Sequence, residues 1–399
     1  MSVIIEGSKI LLSRVKIGGA GRSIDWSKPV EPVQVSPGIG VNEKPGRRHG
    51  FSVSISDDAN TIFIGNLYSL DDDIEGVIWM KNGSWVSQDI VVTDQTSSPG
   101  TGYTKGLLSG DGNVFIGTNV FNNSAARIDC YTRTGNIWTR DQLLTVSGGY
   151  YRDFAIDRAG KTLVAVSRIG STSRIHTYTR SGETWIEAGS TTIPVGTNCS
   201  VALSADGQTL VVGDKNATIG SATNTGRVIV YNRSGNSWTQ AAILQHSSPV
   251  TGTYFGDRVF LTPDGNRLFA AGSIISSIPQ ASQVKQYVRI DGVWQGVGDF
   301  TVPGVVQSDR LAQSMAFNAD GTIMAVSASN KDKGRVWVYS LKNDQWTLEQ
   351  EFSYPGESKL AGFGSALAMN TDGRKLVISA PYTSDGVNDY CGTVYLYEV

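Results

Sequence analysis

Arginine and aspartate stand side by side at two matching places in this chain, Arg152-Asp153 and Asp257-Arg258, with Lys105 and Tyr151 at comparable positions. A guanidinium offers a planar fork of donors, a carboxylate accepts, and a tyrosine adds a flat apolar face with a polar tip. Such a set suits sugar hydroxyls or a polar peptide segment, and these six residues are the candidate ligand-binding residues. The competing reading is that the charges pair with one another and only solvate a rim. Other chemistry finds less support. His49, His176 and His246 sit in neither an HExxH nor a nucleophile-elbow context. Cys130, Cys199 and Cys391 are too scattered for a disulfide framework or a CxxC metal site. No catalytic residue, metal ligand or cofactor is assigned, and the chain is read as a non-enzyme.

The elements that must position these residues come from a repeat. An apolar strand, a turn of type S-x-D-G, a second apolar strand, a variable loop, a third strand ending near Tyr, a Gly turn and a Trp recur along the chain. The clearest copy runs from Val201 to Trp238. The turn aspartate or its equivalent falls at Asp58, Asp111, Ala159, Asp206, Asp264, Asp320 and Asp372, at spacings of 53, 48, 47, 58, 56 and 52. Trp85, Trp138, Trp185, Trp238, Trp294 and Trp346 close the first six copies, whereas the seventh stops at Val399 before any Trp. The missing piece lies at the other end, where Trp26 to Val35 reads like the segment after each repeat Trp. Four strands per repeat, with an N-terminal strand completing the last unit, predict an all-β, seven-bladed β-propeller without open edges. Residues 25–399 form the propeller and 1–24 an N-terminal arm. Ala159 in place of the aspartate and Ala59 in place of the glycine predict two looser or differently closed hairpins.

Phe363 to Tyr382, FGSALAMNTDGRKLVISAPY, followed by GTVYLY, resembles the FG-GAP repeat of the integrin α-subunit propeller and of many bacterial and viral propeller proteins. The copy from Phe255, FGDRVFLTPDGNRLFAAG, keeps the Phe-Gly start, and the other five keep only the strand and turn pattern. The resemblance implies the propeller fold. It also implies calcium loops of type D-x-D-x-D-G, but the turns here carry mostly one aspartate. The acidic run Leu70 to Gly76 reads as a solvated loop. The turn only superficially matches the sialidase S-x-D-x-G-x-T-W box, because Gly directly follows Asp.

In such a fold the tight turns share one face, and the variable loops crowd the other. These include Asn66 to Glu75, Asn119 to Ala125, Asp214 to Thr225, Ser273 to Ser282 and Tyr382 to Cys391, and function on a rigid scaffold concentrates in such loops. The 34 Lys+Arg against 36 Asp+Glu give a net charge of -2, which argues against bulk nucleic-acid binding. The chain has no apolar run of membrane-spanning length, and charges interrupt its first residues where a signal peptide would be apolar. The expectation is a non-enzymatic interaction or adhesion propeller, displayed on a virion or phage particle rather than free in the cytoplasm. It would bind a protein or glycan partner, and its arm would dock on a neighbouring subunit. The alternative is a carbohydrate-active propeller enzyme, a glycosidase or lyase, which needs two converging carboxylates.

Overall fold

The S-x-D-G turn is a hydrogen-bonding device, and its geometry repeats. In the computed structural model the Ser204 hydroxyl donates to Asp206 Oδ1 at 2.5 Å and accepts from the Thr209 amide at 2.9 Å, while the Gln208 amide donates to Asp206 Oδ1 at 2.9 Å. Thr262 and Asp264, and Ser109 and Asp111, build the same turn. Asn318 and Asn370 replace the hydroxyl with an amide oxygen. Neither departure is looser: the first copy closes as the rest do, and the third closes differently, as the sequence allowed. Ala59 takes the left-handed conformation, φ +55°, and Ser56 and Asp58 make the usual bonds around it. In the third copy Asp157 replaces both side chains, its Oδ1 accepting from the Lys161 and Thr162 amides at 2.8 and 3.0 Å.

The structure describes residues 5–6, 9–10, 33–34, 50–66, 74–82, 84–91, 105–118, 127–196, 198–272, 283–356, 361–383 and 392–398. Within them the copies form seven four-stranded antiparallel sheets, the blades of a propeller. Blade 1 holds Ser52–Ile55, Thr61–Gly65, Ile74–Asn82 and Ser84–Val91; blade 2 holds Lys105–Leu108, Val114–Thr118, Ile128–Thr134 and Ile137–Leu144. Blade 3 holds Gly149–Ile156, Thr162–Ile169, Thr172–Ser181 and Thr184–Ile193; blade 4 holds Cys199–Leu203, Thr209–Asp214, Arg227–Ser234 and Ser237–Leu244. Blade 5 holds Arg258–Leu261, Arg267–Ala271, Val284–Ile290 and Val293–Phe300; blade 6 holds Leu311–Phe317, Ile323–Ala328, Arg335–Lys342 and Gln345–Ser353. Blade 7 takes Leu367–Met369, Lys375–Ala380 and Thr393–Glu398 from one end of the chain and Val33–Gln34 from the other. Val33 pairs with Leu396 and Gln34 with Tyr395, so an N-terminal strand closes the ring. Trp26 lies outside the described residues. Within the arm, Ile5–Glu6 and Lys9–Ile10 pair as a separate two-stranded sheet.

The second strands are buried on both faces, as in Thr209–Asp214, because each lies between two neighbouring blades. The core is therefore divided into seven apolar clusters, one at each blade-to-blade seam. The repeat Trp serves these seams. Trp138, Trp185, Trp238 and Trp294 are buried against the preceding blade, and Trp238 Nε1 donates to Thr177 Oγ1 of blade 3 at 2.8 Å.

The turn face carries a further regularity. In five of the seven first hairpins the second residue donates its amide to the next blade: Asp57 to Gly110 O, Gly110 to Arg158 O, Arg158 to Ala205 O, Ala205 to Pro263 O, and Ala319 to Thr371 O, at 2.7 to 3.1 Å. Pro263 has no N–H to donate. At the last seam the Asn370 side-chain amide donates to Asp57 O at 3.4 Å.

Candidate functional site

The inner-strand entrances at the variable-loop face hold the residues singled out in the sequence, and the structure connects most of them across seams. Lys105 Nζ of blade 2 lies 2.6 Å from Asp153 Oδ1 of blade 3 and over the Phe154 ring. The same carboxylate accepts from its neighbour's amide, Phe154 N, at 2.9 Å, and its other oxygen accepts from Val201 N of blade 4 at 2.7 Å. One aspartate thus ties three blades. Arg258 reaches from blade 5 to the Ala312 carbonyl of blade 6 at 2.8 Å and to Gly272 O of its own blade at 2.9 Å. Desolvation lowers its guanidinium to about 10, opposed by Asp257 and reinforced by Arg310, so it stays cationic at neutral pH. Arg152 packs its guanidinium 4.2 Å from the Tyr150 ring centre and donates to that tyrosine's hydroxyl. Tyr151 turns the other way, into the seam of blades 2 and 3, where its hydroxyl meets that of Tyr178 at 2.5 Å. Burial pushes both phenols up.

Asp257 alone belongs to a surface that extends beyond the rim. Its partner is Lys215, 2.6 Å away, at the start of the blade 4 variable loop. Residues 215–226 of that loop fold back on themselves through the Ile219–Ala222 bridge and are then pinned to the loop leading into blade 5. Gly252, Tyr254 and Phe255 donate their amides to Thr223, Asn224 and Thr225 O at 2.9 to 3.0 Å, and Thr253 Oγ1 donates to Thr225 O at 2.7 Å. The close approach requires Gly226, since a Cβ there would fall 2.0 Å from Phe255 O; Gly334 stands in the same relation to Phe363 O, at 2.1 Å. The two Phe-Gly starts are thus the partners of the Gly-Arg-Val starts of the preceding third strands.

The resulting platform exposes Thr218, Ser221, Thr223, Ser247, Ser248, Pro249 and Thr251, without a charge among them. At its centre half-buried Tyr254 is held at φ +51°, a conformation that disfavours a bulky side chain. Sequence reasoning missed Tyr254 and Lys215. The signal for Tyr254 was its place directly before Phe255-Gly256, where the backbone must turn to dock. Of the other variable loops, residues 67–73, 119–126, 273–282 and 384–391 lie outside the described residues, including most of the acidic run Leu70 to Gly76.

One constellation of catalytic type is present in blade 3. Ser167 Oγ lies 2.7 Å from His176 Nε2, and His176 Nδ1 lies 2.8 Å from Glu187 Oε1. The order matches a nucleophile, base and orienting carboxylate. Ser167 is fully buried and only Glu187 reaches solvent, so the relay ends on a sealed hydroxyl. Among the described residues no cluster of three His, Cys, Asp or Glu side chains could hold a metal ion. Cys130 and Cys199 are free thiols pushed up by burial. No helix among the described residues is long and apolar enough to cross a membrane.

No protein-family model matches the chain, and no curated protein does. Solved structures do. The β-propeller domain of Cps50 (Swd1) from Myceliophteria thermophila is 11% identical with a TM-score of 0.56, covering 93% of this chain and all of its own. A chain of the mitotic checkpoint complex is 15% identical with a TM-score of 0.57, over 97% of this chain and 99% of that one. The periplasmic gluconolactonase PpgL of Pseudomonas aeruginosa is 15% identical with a TM-score of 0.53, over 76% and 84%. The similarity is one of fold. It spans a chain from a protein assembly and a lactonase, and a fold of this kind hosts unrelated activities.

Proposed function

We propose that this protein is a non-enzymatic interaction propeller that holds a protein partner on its variable-loop face, centred on the platform between blades 4 and 5. The observation that carries the reading is Tyr254. An aromatic residue kept in a left-handed backbone conformation costs stability, and the surrounding amide contacts hold it beside an ion pair and an uncharged, exposed Ser/Thr/Pro surface. A rigid aromatic anchor with a polar rim is the anatomy of a protein-binding patch. Rigid loops also lower the ordering cost of association. The sealed Ser167 supports the non-enzymatic reading. Kinship with FG-GAP propellers is supported by the seating of Phe255 and Phe363 on the glycines of the preceding blades. Display on a virion or phage particle rests on the low-charge β surface alone, and glycan recognition on the same aromatic and polar groups.

The test is cross-linking mass spectrometry on complexes recovered from the native source, with Tyr254→Gly as the diagnostic variant. Glycine relieves the backbone strain, so the variant should keep or raise its melting temperature while losing cross-links at residues 215–226 and 247–257. Cross-links that persist unchanged would place the partner elsewhere. Labelling of Ser167 by a fluorophosphonate probe would favour the hydrolase alternative.

A further inference from the structure

Arg158 occupies the second position of the first hairpin in blade 3, where the backbone belongs to the ring of turn hydrogen bonds. Its side chain runs back past blade 2. Nε donates to Asp57 Oδ2 at 2.9 Å and Nη2 to Asp57 Oδ1 at 2.5 Å, a two-pronged contact with blade 1. Nη2 also donates to the Thr371 hydroxyl of blade 7. The path is open because residue 110 of blade 2 is glycine. A Cβ there would stand 2.6 and 2.8 Å from the two Asp57 oxygens and 2.9 Å from Arg158 Cγ.

The three blades joined in this way matter because of how the ring closes. Blades 1 to 5 succeed one another along the chain, and a main-chain amide ties each turn to the next. Among the described residues the turns of blades 7 and 1 are joined directly by the long Asn370 side-chain bond in place of a main-chain amide. The last three strands of blade 7 follow blade 6 in the chain and pack on it, but on the other side they meet blade 1 through packing and through their pairing with Val33–Gln34 rather than by direct succession along the chain. We propose that Arg158 is the latch of circular closure: from blade 3 it grips blade 1 through Asp57 and blade 7 through Thr371, and so holds the two sides of the closing seam together at the turn face. The bidentate carboxylate contact needs the planar fork of arginine, which lysine lacks.

Hydrogen exchange followed by mass spectrometry on the full chain tests the latch. Arg158→Lys and Gly110→Ala should each raise exchange about tenfold in peptides covering Leu367–Met369 and Thr393–Glu398, and leave blades 4 and 5 unchanged. Gly110→Ala is the sharper variant, since it removes no charge and wedges the pair apart. Thr371→Val, which deletes one arm and keeps the shape, should give a smaller rise in the same peptides and remains usable if the other two variants fold poorly. Arg233→Met, which cuts a comparable arginine contact to Thr162 between blades 3 and 4, is the control and should leave blade 7 protected. A rise confined to blades 2 and 3, or one spread evenly over all blades, would overturn the proposal.

Discussion

Asp153 accepts from a lysine of blade 2, its own strand and an amide of blade 4, and Arg258 donates to carbonyls on both sides of its seam. Removing either takes a partner from buried backbone groups on two blades, whereas the Lys215–Asp257 pair, 28% and 23% exposed, is joined side chain to side chain and more easily rehydrated. Asp153→Ala should therefore cost about 2 kcal/mol and Arg258→Met about 2–4 kcal/mol in urea denaturation, against less than about 1 kcal/mol for Asp257→Ala. His246 adds a pH dependence. Burial against Phe255 lowers its pKa, Lys285 lowers it further and Asp299 opposes. The unfolded chain, with the ordinary value of 6.5, takes the proton first. This contribution to stability is present above that value and is lost as the pH falls through the folded pKa. Melting curves from about pH 7 to pH 5 should show a smaller decline for His246→Gln than for the parent.

The first hairpins show what a repeat permits. Asp157 does alone what a hydroxyl and an aspartate share elsewhere, because its carboxylate reaches the same two amides. Asp157→Ser should cost about 1–2 kcal/mol, and adding Ala159→Asp should recover most of it, a non-additivity readable in a double-mutant cycle. The strands and turns were legible because each copy repeats its own local chemistry: an apolar run, then a turn with a fixed hydrogen-bonding order. The rim was not. Lys105 and Asp153 lie 48 residues apart and Lys215 and Asp257 lie 42 apart, so their meeting depends on how consecutive blades stack. Tyr151 and Arg152 are neighbours in sequence, but the register slips between Tyr151 and Asp153, so Arg152 is the extra residue of a β-bulge and is re-aimed to the rim while Tyr151 stays in the core. The Ser167–His176–Glu187 set was equally hidden, since its members come from three paired strands whose register no motif records.

With the core divided among seven seams, cohesion is shared around a circle, and the Val33–Gln34 strand is what completes the seventh sheet. Deleting residues 1–35 should leave the Thr393–Glu398 edge unpaired and convert a monodisperse protein into aggregates, a change that light scattering would register. An unchanged scattering profile and melting temperature would show that closure does not need this strand. The ring of turn hydrogen bonds has an electrostatic consequence as well. Its N–H to O=C links from Asp57 through Gly110, Arg158 and Ala205 to Pro263 run head to tail around the axis rather than along it. Peptide dipoles stacked along a helix add to a polar end, but dipoles laid tangentially around a circle cancel. This mouth of the channel therefore lacks the built-in positive pole of a helix N-terminus. Its field is left to side chains: Arg158 paired with Asp57, and around them the turn aspartates Asp58, Asp111, Asp206, Asp264, Asp320 and Asp372.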